Sequence, residues 1–114
     1  MIINRTELSM VRGDTENITV EIDGVVLDTG DTIYFTIKKS IYTNVKSLQK
    51  VITTFTNGKA LISLDPADTD ELEYGTYAYD IQWTKADNSV ITLLQSNITL
   101  LGEVTWAEPV DEWH

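Results

Sequence analysis

The stretch "GTYAYDIQWTK", residues 75–85, decides how the chain is read. Tyr77, Tyr79, Ile81 and Trp83 occupy alternate positions, with Ala78, Asp80, Gln82 and Thr84 between them. A period of two belongs to a strand with one buried and one wet face, not to a helix. The same alternation continues on either side. "TENITVEI" (15–22) sets Ile18, Val20 and Ile22 against Asn17, Thr19 and Glu21. "DTIYFTIKK" (31–39) turns Ile33, Phe35 and Ile37 inward and Thr32, Tyr34, Thr36 and Lys38 outward. "GKALISL" (58–64) groups Ala60, Ile62 and Leu64. Slipping any of these strands by one residue would exchange its faces, so each register is well specified.

Turn residues separate the strands. Asp23-Gly24 and Asn57-Gly58 supply the positive φ angles of tight hairpins, and Asp87-Asn88 is a poorer turn former. Asn57-Gly58 lies between "QKVITTFT" and "KALISL", which predicts a hairpin. Over 46–55, Val51, Thr53 and Phe55 compete with Leu48, Ile52 and Thr54 for the inner face, which predicts a β-bulge. "LDPADTDEL" (64–72) breaks the alternation. Asp65 stands as N-cap, Pro66 at the first helical position and acidic groups in the first turn, predicting one helical turn between sheets. Turn signals every ~8–12 residues then give an all-β antiparallel sandwich of about seven to nine strands with one short helical turn. It is a single domain over 1–106, with an acidic C-terminal tail, 107–114.

Composition narrows the function. A chain of 114 residues is long enough for one core without staples. It has no cysteine, which removes disulfides and thiolate metal sites, and its one histidine is His114. The formal charge of −10 argues against nucleic acid and anionic membranes as partners. The N-terminal "MIINRTELSMVRGD" has no apolar signal region, and no run is long enough to span a membrane. The chain is therefore expected to be made in the cytoplasm, with its "NIT" sequons at Asn17 and Asn97 unused.

Few residues suggest chemistry. Arg12-Gly13-Asp14 spells an adhesion tripeptide, yet it lies between two strand-like segments. Gly13 and Asp14 are explained as turn formers, with Arg12 an ordinary surface residue. Without cysteine or an internal histidine, an activated nucleophile has no base. A carboxylate pair is conceivable, and Asp80 is its oddest candidate, though alternation places it on an outer face beside Gln82. Asp65, Asp68, Asp70, Glu71 and Glu73 do not follow the calcium-loop pattern. No catalytic, metal or cofactor residue is assigned. Exposed aromatics remain: Tyr34 on an outer face, Tyr42 in the loop "SIYTNVK", and Trp106 and Trp113 flanking the acidic tail. These four are the candidate partner-binding residues.

Two resemblances add to this. "LEYGTYAYDIQW" (72–83) resembles the immunoglobulin-type tyrosine corner, where a tyrosine hydroxyl ties back to upstream backbone. Gly75 opens the run, Tyr77 takes the corner position, and Tyr79 stands where a disulfide cysteine would be. The ordered set "VRGDT", a "DG" turn, "DTIYFTIKKS", "LDPADTDELEYGTYAYDIQWT" and "VITLLQSNITLLGEVTW" resembles small Ig-like domains of tailed phages and prophages of Gram-positive bacteria. The N-terminal domain of the phage baseplate upper protein is one such domain. The resemblance implies an Ig-like sandwich acting as a non-enzymatic virion component of tail, baseplate or capsid. It implies localisation to the virion and partners that are other tail proteins or a second copy, with "RGDT" as a fixed family turn. The alternative from the residues is a carbohydrate-binding module for host-wall glycan.

Overall fold

The computed structural model of the chain describes residues 7–22 and 24–102. The described elements are, in order, β1 (Leu8–Val11), β2 (Glu16–Val20), β3 (Thr32–Lys38), β4 (Leu48–Ile52), β5 (Ala60–Leu64), α1 (Pro66–Thr69), β6 (Gly75–Thr84) and β7 (Val90–Leu101). They form a five-stranded sheet in the order β1-β7-β6-β3-β4 and a two-stranded sheet, β2-β5. The layers face each other as in an immunoglobulin-type sandwich, and the chain is an all-β sandwich as expected.

Alternation governs the packing. In β3, Ile33, Phe35 and Ile37 have no exposed surface. They lie opposite Trp83, Ile81 and Tyr79 of β6, and the rings of Phe35 and Tyr79 are 5.6 Å apart. Ala60, Ile62 and Leu64 of β5 close the core from the other layer, beside Val20 of β2. Burying one such aliphatic or aromatic side chain contributes about 2 kcal/mol. A one-residue slip of β3 alone would therefore forfeit much of the ~5–15 kcal/mol that holds a domain folded.

Three local expectations need correction. The sheet is not wholly antiparallel, because β1 runs parallel to β7. The bulge does not fall in 46–55: β4 ends at Ile52, with Leu48 and Ile52 turned inward and Val51 outward. It falls between β6 and β7, where Ile81 opposes Leu94 but Gln82 opposes Thr92. The extra residue, Leu93, is buried, so consecutive leucines 93 and 94 both meet the core, and alternation resumes in the other phase.

The third correction concerns Asn57-Gly58. Both residues have positive φ, 54° and 77°, and Thr56 and Lys59 exchange both backbone hydrogen bonds. The turn is as read, but its flanking strands do not pair. β4 joins β3 in one sheet and β5 joins β2 in the other. Residues 53–55 carry the chain across, and Phe55 packs against the core on the way. The poorer turn former, Asp87-Asn88, closes the β6–β7 hairpin, with Asn88 at φ 73°. Gly24 has φ 78°, and Asp23 lies outside the described residues.

Candidate functional site

The Arg12-Gly13-Asp14 turn is built into the fold. Gly13 has φ 86°, and the Asp14 amide donates to the Val11 carbonyl at 3.1 Å. The Gly13 amide donates to Thr69 Oγ1 of α1 at 2.8 Å, and Thr69 is fully buried. Arg12 Nη1 donates to the Leu72 carbonyl at 3.2 Å, and its guanidinium lies 4.4 Å from the centre of the Tyr74 ring. Arg12 is thus not an ordinary surface residue. It clamps the β1–β2 turn onto the segment that crosses between sheets, so its guanidinium is engaged rather than displayed. Only Asp14 of the three is exposed.

The same segment carries the tyrosine corner. Tyr77 Oη donates to the Glu73 carbonyl at 2.8 Å while the ring is buried. Tyr79 is a core residue, and Gly75 opens β6 at φ 136°. The Asp65 amide donates to Asp68 Oδ2 at 2.7 Å, fixing the start of α1. Asp68 also meets Lys50 Nζ of β4 at 2.9 Å. Burial alone would raise the Asp68 carboxyl, but the Lys50 ammonium and the Asp65 amide outweigh it and hold the group below the usual range. The acidic run is therefore structural at Asp68. Among the described residues no group of three or more acidic or histidine side chains could hold a metal.

The outer face of the five-stranded sheet carries the remaining polar chemistry. Tyr34 is half-buried there, between Gln82 of β6 and Val51 of β4. Asp80 lies between Thr36 of β3 and Gln95 of β7, so no second carboxylate opposes it across the strands. Burial pushes its carboxyl up, against the pull of Lys38. Hydroxyls and amides pair along this face: Gln49 Nε2 donates to Thr36 Oγ1 at 3.0 Å, and the Thr76 and Thr99 hydroxyls are 3.1 Å apart. Asp80 with Thr36, Lys38, Gln95 and Ile41 lines a shallow hollow.

Beside it stands the β3–β4 loop. Tyr42 is 90% exposed, Val45 73% and Ile41 54%. The loop is braced by its own polar groups. The Tyr42 amide donates to Ser40 Oγ at 3.0 Å, the Val45 amide to Thr43 Oγ1 at 3.1 Å, and the Ser47 amide to the Ile37 carbonyl at 2.7 Å. Sequence reading picked out Tyr42 and missed Ile41 and Val45. Their signal was three apolar residues in a seven-residue stretch with neither strand nor helix period. Trp106, Trp113 and the tail 107–114 lie outside the described residues. None of the described helical residues forms a helix long and apolar enough to cross a membrane.

No family model matches the chain, and no curated protein matches it. Solved structures do. CopC from Methylosinus trichosporium OB3b aligns with a TM-score of 0.55 at 10% identity, covering 90% of each chain. A protein assigned as a glycoside hydrolase from Bacteroides vulgatus ATCC 8482 aligns with a TM-score of 0.47 at 10% identity. That match covers 87% of this chain and 17% of the other. At such identity the likeness to CopC speaks for the fold alone: this chain is a β-sandwich.

Proposed function

We propose that the protein is a non-enzymatic structural or accessory component of a tailed-phage or prophage particle, acting by protein–protein assembly. The observation that carries this reading is the braced β3–β4 loop, which holds Ile41, Tyr42 and Val45 out into solvent. Ordering apolar side chains in water has no folding benefit, whereas a preformed aromatic and aliphatic cluster lowers the entropy cost of association. The loop runs directly into β4, an edge strand whose outer side carries the exposed Val51. A loop cluster beside an open edge suits docking by side-chain insertion and strand addition together. The resemblance of the ordered sequence segments to small phage Ig-like domains supports the particle assignment. The partner is another tail protein or a second copy.

The test has two arms. Mass spectrometry of gradient-purified particles from an induced host should find the chain in the particle; its absence there would overturn the virion assignment. Tyr42→Ser with Ile41→Ser should then leave the circular dichroism spectrum unchanged and abolish incorporation. Full incorporation of the double variant would refute the loop as the docking element.

A further inference from the structure

Charge is unevenly distributed along this chain. Residues 32–64 hold five lysines and no acidic residue, while residues 65–73 hold five acidic residues and no basic one. The fold lays the two runs side by side. Lys50 of β4 reaches Asp68 of α1 at 2.9 Å, and Lys39, just past β3, comes within 3.9 Å of Glu73. Asp65, Asp70, Glu71 and Glu73 are exposed on the acidic run, and Lys39 and Lys46 on the basic one.

This seam runs beside an open strand edge. β4 pairs with β3 and with no other described strand, so alternate backbone N–H and C=O groups of Leu48–Ile52 have no strand partner. Val51 is half exposed on the outer side of that edge, and the loop carrying Ile41, Tyr42 and Val45 leads into it. A lysine on an edge strand ordinarily discourages a second strand. Lys50 is different, because Asp68 neutralises it, and both side chains are largely withdrawn from solvent.

We propose that the β4 edge joins two copies of this chain about a two-fold axis. Antiparallel pairing of β4 with β4 of the second copy continues the five-stranded sheet into the next molecule. The inference rests on the reading that the β3–β4 loop and the β4 edge dock a protein, and it names the partner. Charge selects that partner. A two-fold contact sets one patch against the same patch reversed, so the patch must complement itself. Lysines alone would repel a second copy, and acids alone would do so too. Both signs side by side let the lysines of each copy meet the acids of the other. A foreign strand of either sign meets one attracting run and one repelling run. Around the axis, Lys50 and Asp68 of one copy alternate with Lys50 and Asp68 of the other. Charges more than ~8 Å away are largely screened at physiological salt, so the seam outweighs the net charge of −10.

The experiment is sedimentation equilibrium of the full chain from about 5 to 500 µM, which brackets the micromolar range of a weak specific contact. The mass should rise from 12.8 kDa to twice that value. Val51→Lys, at an exposed position, puts an unpaired charge on the edge. It should weaken dimerisation at least about tenfold with the circular dichroism spectrum unchanged. Lys50→Glu and Asp68→Lys should each stay monomeric alone, because one brings only acidic groups to the axis and the other only basic ones. Mixed in equal amounts, the two folded variants should form a mixed dimer. Val51→Lys decides alone where a charge variant loses its fold. A monomer throughout the range, a mass that rises without limit, undiminished dimerisation of Val51→Lys, or no mixed dimer from two folded variants would overturn the proposal. A monomer still incorporated into particles would sink the two-fold contact and leave the assembly reading standing, whereas a dimer absent from particles would do the reverse.

Discussion

Replacing Thr69 by valine tests the clamp between the β1–β2 turn and α1. Valine keeps the branched shape and removes the hydroxyl. The Gly13 amide, now 2.8 Å from Thr69 Oγ1, would lose its acceptor in a half-buried place. An unsatisfied buried amide costs about 1–3 kcal/mol, and the extra buried methyl offsets part of that. A net loss of about 1–2 kcal/mol is expected. Unfolding entropy of roughly 2.1 cal/mol/K per residue gives about 0.24 kcal/mol/K for a chain this long, so Tm should fall by about 4–8 °C. Thermal melts followed by circular dichroism read the shift. Amide exchange of Gly13 then separates the hydrogen bond from packing. It should accelerate in Thr69→Val and stay slow in Thr69→Ser, which keeps the acceptor and loses a methyl. An unchanged Gly13 exchange rate in Thr69→Val, or a Tm within about 1 °C of the parent, would refute the clamp.

Other outcomes follow from single contacts. Tyr77→Phe removes the hydroxyl that reaches the Glu73 carbonyl and should lower stability by about 1 kcal/mol in urea melts, with the slope unchanged. Gly58→Ala should cost about 1–2 kcal/mol or more, since φ is +77° and a Cβ would stand 2.8 Å from Val26 Cγ1. Asp68 has a lowered pKa, so its ionised form contributes stability that is full above ~3.9, the unfolded value, and is lost as pH falls through the lower folded value. Asp68→Asn should therefore be less stable than the parent at neutral pH, with the two melting curves converging in acid. Asp80 is shifted the other way, so Asp80→Asn should match or exceed the parent at neutral pH, and that advantage should shrink on acidification.

The strands and their buried faces were legible because alternation is a local property. Ile33, Phe35 and Ile37 show it within seven residues, and no distant contact is needed to read it. Pro66 after Asp65 likewise announced the helical turn before Thr69 acquired any partner. The site was less legible. Tyr42 could be placed in a loop, but the exposure of Ile41 and Val45 depends on how Ser40 and Thr43 brace that loop. Arg12 was misjudged because its partners, Leu72 and Tyr74, are some sixty residues away in sequence.

In β2, β3, β5 and β6 the amino-acid order alone set which face turns to the core, because side-chain direction in an extended chain reverses at every residue. It also determined where the backbone turns, through the positive φ that Asn57-Gly58 accepts. Only the tertiary structure decided which strands become neighbours. Asn57-Gly58 makes its turn and yet joins two different sheets, while Asp87-Asn88 makes a true hairpin. A turn sets the path of four residues, but sheet membership follows from burying whole faces, and that energy is shared across the molecule.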